Sequence, residues 1–222
     1  MSDNGMPFPN AKTGAYDAGL HLPLIVRAPG QKNRGLVSKA MVSWVDIMPT
    51  IIDWAGAKLP DYPVHGRSLL PILEQEDPAG WDRVHFSHSF HELTMYYPMR
   101  GLRTRQFKYI RNLFPELEFP FSTDLWASKC WQNARKEGPS AKIGKRPVSQ
   151  YLHRAPDELY DIVADPDEVN NLAGSPEHRQ VLGDMRAEVQ AYRKKTNDIW
   201  LVNDDYNNPP PAGAARPRRK KT

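Results

Sequence analysis

Residues 99–111 read MRGLRTRQFKYIR and contain two short runs of apolar, aromatic and β-branched residues. The runs cover 99–104 and 107–111, and turn-like polar residues separate them. Similar runs occur upstream at 84–87 and downstream at 158–162. Short strands of this composition with turns between them are typical of an antiparallel sheet. The sequence therefore predicts a small antiparallel sheet in the second part of the chain.

An amphipathic helix is predicted after these strands. Ser175-Pro176-Glu177 is a helix-start signal, and the apolar residues that follow share one helical face: Val181, Leu182, Met185, Val189 and Tyr192. We expect this face to pack across the sheet. Residues 115–150 are rich in Pro, Lys and Ser and have no clear period, which predicts an irregular excursion.

The first 80 residues have a different pattern. The apolar run from Leu20 to Ala28 ends in the turn Pro29-Gly30 and predicts a buried strand of an α/β sheet. Asp46 is a candidate N-cap for a short helix over 47–54, and 66–73 predicts a second short helix. The fold class is therefore α/β, with a domain boundary expected in the loop 74–82.

Composition limits the classes of function. The chain has 222 residues, 40% of them hydrophobic, and one cysteine, Cys130, which excludes an intrachain disulfide and a cysteine-rich metal site. Its net charge of +4 comes from the last residues, where Arg216, Arg218, Arg219, Lys220 and Lys221 cluster. We expect residues 204–222 to be a disordered basic tail and not a nucleic-acid binder, because the body does not interleave aromatic and basic residues. The sequence also predicts no membrane span.

A polar loop lies at the beginning of the sequence. Ser2-Asp3-Asn4-Gly5 is followed by Lys12, so a carboxylate, a carboxamide and a cation lie close along the chain. Such a set is typical of half of an anion or metal site. The competing interpretation is an ordinary turn and a solvated lysine.

Several motifs together resemble the second half of a type I sulfatase: Lys12-Thr13, Tyr16-Asp17, Pro23 to Val26, Val45 to Gly56 and Gly66 to Leu69. Within that family, the segments His91 to Met95, Tyr97 to Arg100, Glu158 to Asp161 and Asn171 to Ala173 resemble the heparan N-sulfatases, also called sulfamidases. The similarity extends from residue 2 to about residue 202.

The resemblance implies a fold related to alkaline phosphatase. Residues 1–80 would be the C-terminal part of the catalytic α/β domain, with part of a mixed sheet. Residues 81–203 would be a smaller α+β subdomain with an antiparallel sheet and a packing helix. The implied substrate is a sulfated saccharide, most closely N-sulfoglucosamine of heparan sulfate, and oligomeric state is left open.

The same resemblance implies roles for individual residues. Asp3 and Asn4 match positions that supply oxygen ligands to Ca²⁺, and the other ligands would lie outside this sequence. Lys12 matches the sulfate-binding lysine of sulfatases, although the sulfamidases that the chain resembles have an arginine at this position. His91 and Glu92 match a segment over the substrate pocket, and Arg100 is a further candidate for binding an acidic saccharide. The alternative for His91 and Glu92 is hydrogen bonding within the small domain.

The nucleophile motif of the family is not found in the sequence. Type I sulfatases resemble one another in a Cys-x-Pro-Ser-Arg or Ser-x-Pro-Ser-Arg segment, whose first residue is converted to formylglycine. Cys130 is instead followed by Trp131-Gln132-Asn133-Ala134. We therefore expect a sulfatase fragment that is inactive alone, from an exported parent whose signal precedes this sequence. The alternative is a non-catalytic glycan-binding or interaction module derived from a sulfatase.

Overall fold

A computed structural model describes residues 1–92 and 94–203 of the chain. The strands are β1 (Arg83–Phe90), β2 (Tyr96–Thr104), β3 (Phe107–Asn112), β4 (Lys142–Ile143), β5 (Arg146–Pro147) and β6 (Asp157–Asp161). The α-helices are α1 (Asp17–Leu20), α2 (Ile47–Trp54), α3 (Thr123–Trp126), α4 (Lys129–Glu137), α5 (Val148–Leu152) and α6 (Arg179–Lys195). Short 3₁₀ turns cover Trp44–Asp46, Leu70–Ile72, Leu172–Gly174, Pro176–His178 and Ile199–Asn203. The predicted basic tail, 204–222, lies outside the described residues.

Four strands form one antiparallel sheet in the order β1, β2, β3, β6, which confirms the predicted sheet. At its centre, Gly101 of β2 lies opposite Phe86 of β1 and Ile110 of β3. A Cβ at Gly101 would lie 2.1 Å from the Phe86 ring and 2.5 Å from the carbonyl oxygen of Tyr109. Glycine is therefore required where the Phe86 ring crosses this strand.

Helix α6 covers one face of the sheet, as the amphipathic pattern predicts. The buried cluster between them has one member from each of three strands and three from the helix: Leu102, Tyr109, Leu159, Leu182, Met185 and Val189. Each such side chain stabilises the fold by roughly 1.5–3 kcal/mol relative to exposure. The predicted packing helix is confirmed.

The other face of the sheet packs against the segment that the sequence predicts to be irregular, and that prediction is wrong. The segment contains α3, α4, the small β4–β5 hairpin and α5. Trp131 of α4 is fully buried, with its ring centroid 4.5 Å from that of Phe121 and 5.9 Å from that of Tyr151. Helices of 4 to 9 residues are too short to show a helical period in the sequence. Their formation depends on the packing of these aromatic rings, which the sequence pattern does not reveal.

The described part of the first 80 residues contains no strand, so the strand predicted over Leu20 to Ala28 is wrong. The segment is nevertheless extended, because exposure alternates along it: Leu22, Leu24 and Val26 are half-buried, whereas Ile25 is 85% exposed. Extended conformation becomes a strand only when another strand pairs with it. The mixed sheet expected here is therefore not formed by the described residues on their own.

The predicted helix over 47–54 is confirmed as α2 with Asp46 at its N-cap position, but the Asp46 side chain makes no capping hydrogen bond to the helix. The Asp46 carboxylate instead accepts hydrogen bonds from the backbone N–H of Ser43, at 2.8 Å, and of Arg67, at 2.9 Å. It thus joins two loops. The second predicted helix, over 66–73, reduces to the single 3₁₀ turn Leu70–Ile72. None of the helices described has the length and apolar character needed to cross a lipid bilayer.

A buried ionic cluster fixes the N-terminal loop to the sheet. Lys108 of β3 has no solvent exposure, and its Nζ lies 2.6 Å from Asp17 Oδ1 and 2.8 Å from Glu168 Oε1. Arg103 of β2 lies 2.8 Å from Asp17 Oδ2. Burial acts to raise the pKa of Asp17, but Arg103 and Lys108 outweigh it and lower the pKa to about 2. The neighbouring Tyr16 belongs to the core of the sheet, so this loop folds together with the C-terminal part.

Candidate functional site

The Ser2-Asp3-Asn4-Gly5 loop is a turn closed by its own polar groups. Ser2 Oγ donates to the Asn4 carbonyl oxygen at 2.9 Å, and Asn4 Nδ2 donates to the Gly5 carbonyl oxygen at 2.7 Å. Gly5 is buried against α1, where a Cβ would lie 2.5 Å from the carbonyl oxygen of Ala18. The predicted ligands Asp3 and Asn4 remain exposed at the tip.

The donor atoms of this loop are of the kind that Ca²⁺ binds, but they are too few to complete its coordination shell. A carboxylate and an amide oxygen are donors that Ca²⁺ prefers, and the Asn4 amide nitrogen is already engaged, so its oxygen is the atom available as a ligand. Ca²⁺ takes about 6–8 oxygen ligands. Within residues 1–92 and 94–203, no three His, Cys, Asp or Glu side chains form a group that could hold a metal. The remaining ligands would have to come from other groups.

Lys12 lies on the same loop system and reaches across to the second part of the chain. Its backbone N–H donates to the Met6 carbonyl oxygen at 3.1 Å, and the following residue, Thr13, has a left-handed backbone with φ of 62°. Lys12 Nζ lies 2.6 Å from Asp124 Oδ2 in α3, and the lysine side chain is 21% exposed. The hydrogen bond from Lys12 lowers the pKa of Asp124 to about 2, so this carboxylate is charged at neutral pH.

His91 and Glu92 lie exposed in the turn between β1 and β2. The Glu92 carboxylate accepts a hydrogen bond from Thr123 Oγ1, at 3.0 Å to the nearer oxygen. The nearby His88 is more buried, and burial together with Arg154 and His91 lowers its pKa to about 4. His88 is therefore neutral at neutral pH and adjoins the turn that carries the two predicted substrate contacts.

Arg100 occupies a separate cluster. It is buried, and its guanidinium makes a bidentate pair with Asp198, at 2.8 Å to Oδ2 and 3.0 Å to Oδ1. A third nitrogen donates to the carbonyl oxygens of His88 and Met99. These bonds fix Asp198, which follows α6, against β1 and β2. Among the described residues, no other predicted site residue contacts Arg100, whose predicted role in saccharide binding stays a prediction.

The structure thus brings together two of the predicted groups through a helix that sequence reasoning missed. Consecutive residues of α3 contact Lys12 and Glu92, namely Asp124 and Thr123. The turn that carries Asp3 and Asn4 is connected to Lys12 along the chain by the loop between them. A signal for α3 was available, because Ser122-Thr123-Asp124 is typical of a helix start.

A cleft of about 1920 Å³ in the described chain lies elsewhere. It runs between the extended segment 22–28 and the β1–β2 edge and is lined by Leu24, Val26, Phe86, Arg100 and Tyr192, among others. Asp3, Asn4, Lys12, His91 and Glu92 are not part of its lining. The candidate site is therefore an open surface around α3 and not this cleft.

Comparison with known proteins places these features in a family. The model of the family described as N-sulphoglucosamine sulphohydrolase, C-terminal, matches residues 11–122. The N-sulphoglucosamine sulphohydrolase of Homo sapiens is 38% identical over an alignment of 215 residues, and the match covers 92% of this chain and 42% of the human protein. An ulvan-active sulfatase of Formosa agariphila is 28% identical, over 93% of this chain and 33% of its own. The chain thus spans less than half the length of these relatives.

Solved structures give the same fold. A structure in complex with its substrate D-glucosamine-2-N,6-O-disulfate has a TM-score of 0.56 and 27% identity, covering 82% of this chain and 30% of its own. A phosphonate monoester hydrolase from Silicibacter pomeroyi has a TM-score of 0.55 and 25% identity, covering 82% and 31% respectively. The α/β class expected from the resemblance is confirmed. By the profile match over half of its length, the chain belongs to the sulfatases, in the C-terminal family of N-sulphoglucosamine sulphohydrolase.

Proposed function

We propose that this chain forms the anion-binding and sugar-facing part of a sulfatase that removes sulfate from sulfated glucosamine, with N-sulfoglucosamine as the preferred unit. The observation that carries the proposal is the meeting of Lys12 and Glu92 at neighbouring residues of α3. One cation and one carboxylate are thus each held by a residue of the same short helix, which supports a site for a sulfated amino sugar. The likeness to a structure holding a glucosamine disulfate supports the choice of sugar.

Each group has a distinct task in this proposal. The Lys12 ammonium neutralises a sulfate oxygen and stabilises charge that builds up on the transferred group. Glu92 accepts hydrogen bonds from sugar hydroxyl or N–H groups, and His91 contacts the sugar beside it. Arg100 is not included among these contacts, because its donors are occupied by Asp198 and backbone carbonyls.

Asp3 and Asn4 complete the proposed site as partial calcium ligands. Bound Ca²⁺ would supply positive charge against the sulfate oxygens. The two residues would hold it through a carboxylate and an amide oxygen at the exposed tip of their turn, which Gly5 anchors against Ala18. Because two ligands do not complete a calcium shell, we propose that these residues bind Ca²⁺ only weakly in the 222-residue chain.

We further propose that the 222 residues do not turn over substrate alone. They contain no Cys-x-Pro-Ser-Arg or Ser-x-Pro-Ser-Arg segment, and Cys130 lies in an unrelated sequence on α4. A sulfatase nucleophile would thus have to come from other polypeptide. The same observation favours the second candidate, a glycan-binding module without catalysis.

Binding of glucosamine N-sulfate to the full chain tests the proposed site. We expect measurable affinity by NMR titration, weakened about tenfold in Lys12→Ala, because one charge-assisted hydrogen bond is lost. Lys58→Ala is the matched control, since it removes an equally charged but exposed side chain from the loop after α2. Unchanged affinity in Lys12→Ala, or equal binding of unsulfated glucosamine, would contradict the proposal.

Sulfate release separates the two candidate functions. We expect none from glucosamine N-sulfate with the 222-residue chain alone. If the chain is part of a sulfatase, release should begin when it is joined to a segment that carries the formylglycine motif, and Lys12→Ala should reduce it. Binding that persists without any release in the joined protein would favour the glycan-binding module.

A further inference from the structure

Helix α3 contributes a carboxylate to the candidate site from a region of sequence that no motif singled out. Asp124 is 112 residues from Lys12 along the chain, yet its Oδ2 lies 2.6 Å from the lysine Nζ. Thr123, the adjacent residue, holds Glu92. We propose that Asp124 is a positioning residue that fixes the direction of the Lys12 ammonium towards the sulfate; this inference rests on the proposed function.

The Asp124 carboxylate is itself held in place. Its Oδ1 accepts hydrogen bonds from Ser122 Oγ, at 2.5 Å, and from the backbone N–H of Leu125, at 2.9 Å. Ser122 and Leu125 are both buried, and Leu125 belongs to the same core cluster as Phe121. One carboxylate oxygen is therefore tied to the core, and the other is directed to Lys12.

A lysine side chain needs such a partner if it is to act at one point in space. Its four-carbon stem has high rotamer freedom, so an unpaired ammonium is spread over a wide surface. An ammonium has three donors, and the bond to Asp124 uses one of them, which leaves two for an anion. The pair thereby keeps the cation available while restricting where it can lie.

Stability alone does not account for this pair. Asp124 is half-exposed, and exposed ion pairs stabilise proteins by about 0–1 kcal/mol. A second lysine–aspartate pair makes no hydrogen bond to a proposed site residue: Lys145 and Asp167, whose Nζ to Oδ2 distance is 2.5 Å and whose aspartate is as exposed as Asp124. That pair provides a control for every effect that comes from surface charge alone.

The test is a double-mutant cycle on glucosamine N-sulfate affinity, measured by NMR titration of the full 222-residue chain. We expect Asp124→Ala to weaken binding about fivefold and Asp124→Asn, which keeps an acceptor oxygen, to stay within about threefold of the unaltered chain. In the Lys12→Ala background, Asp124→Ala should have no further effect, because it acts through Lys12. Asp167→Ala should leave affinity unchanged.

A second measurement distinguishes a positioning role of Asp124 from a folding defect and from a failure of the proposed function. Lysine-selective ¹⁵N spectra should show a Lys12 ammonium signal protected by its hydrogen bond, and this signal should vanish in Asp124→Ala while the melting temperature is retained. Tighter or equal binding by Asp124→Ala, or an equal loss in both Lys12 backgrounds, would overturn the positioning role. If the unaltered chain does not bind the sugar, the proposed function fails, and loss or persistence of the lysine signal still decides whether Asp124 fixes Lys12.

Discussion

Lys108 is a residue whose structural role could not be predicted from the sequence pattern around it. It lies in a strand whose neighbours Tyr109 and Ile110 are fully buried, and it too has no exposure. A buried charge is tolerated only when it is paired, and here two carboxylates, Asp17 and Glu168, share the ammonium. Neither partner is near it in sequence. The period of the strand could therefore predict the core but not this ionic cluster.

Replacing this cation should be strongly destabilising. We expect Lys108→Met to lower the free energy of unfolding by about 3–5 kcal/mol, because Asp17 and Glu168 lose the charge that compensates their burial. Chemical denaturation at pH 7 measures the loss. Lys145→Met, at an exposed ion pair, should leave the free energy of unfolding nearly unchanged. A Lys108→Met variant as stable as that control would show that the cluster does not hold the fold.

Asp17 gives the cluster a defined pH dependence. Its pKa in the folded chain is about 2, below an unfolded value near 4, so its contribution to stability is present above about pH 4 and is lost as the pH falls to about 2. Glu168 acts in the opposite direction, because burial raises its pKa, and its contribution is lost as the pH rises through that value. We expect the melting temperature of Asp17→Asn to approach that of the unaltered chain between pH 4 and pH 2. A constant difference across this range would contradict the assignment.

At the scale of elements, prediction succeeded where a pattern was long or repeated. The apolar face of α6 and the apolar and aromatic runs of β1, β2, β3 and β6 were enough to predict these elements. The short α3 and α4 do not have enough residues to define a face, and their order depends on burial of Leu125 and Trp131. The arrangement of the candidate site could not be predicted for the same reason, because α3 supplies the residues that connect its groups. Motif resemblance identified Lys12 and Glu92, but only the fold showed that one helix joins them.

The extended segment before Pro29 should behave differently from the sheet. No backbone hydrogen bond is described for the N–H groups of residues 24–27, whereas β2 is paired on both sides. We expect amides 24–27 to exchange with solvent within seconds and those of 99–103 to be slower by several orders of magnitude, as measured by hydrogen exchange. Strong protection at Leu24 to Arg27 would reveal a partner strand, such as one from a second copy of the chain.

At the scale of the whole molecule, contacts of the core cross the expected boundary between the two parts of the chain. Expected domains divide near residue 80, a division that stays a prediction. Yet Ala15 and Tyr16 lie in the main core with Tyr97 and Ile110, so the loop bearing Lys12 packs with the later sheet. Contacts between residues more than a hundred positions apart leave no trace in a local pattern. For this reason the sequence alone could not predict that the loop bearing Lys12 and the later part of the chain meet at the candidate site.

Exposed apolar side chains predict how the isolated chain behaves in solution. Large side chains stand exposed on and around α2 and the extended segment: Ile25, Val37, Trp44, Ile51 and Trp54. Contiguous apolar surface promotes association. We expect concentration-dependent self-association by size-exclusion chromatography, reduced when Ile51 and Trp54 are both replaced by polar residues. A monomer at all concentrations, with cooperative unfolding, would contradict this prediction.

The cluster around Lys108 also predicts an order of events during folding. Asp17 meets its partners on β2, on β3 and in the turn after β6, so its loop gains a fixed shape only after those distant strands have assembled. Lys12 is five positions away on the same loop. In refolding experiments, we therefore expect the sheet to form first and the proposed binding of a sulfated sugar to appear in the slowest phase.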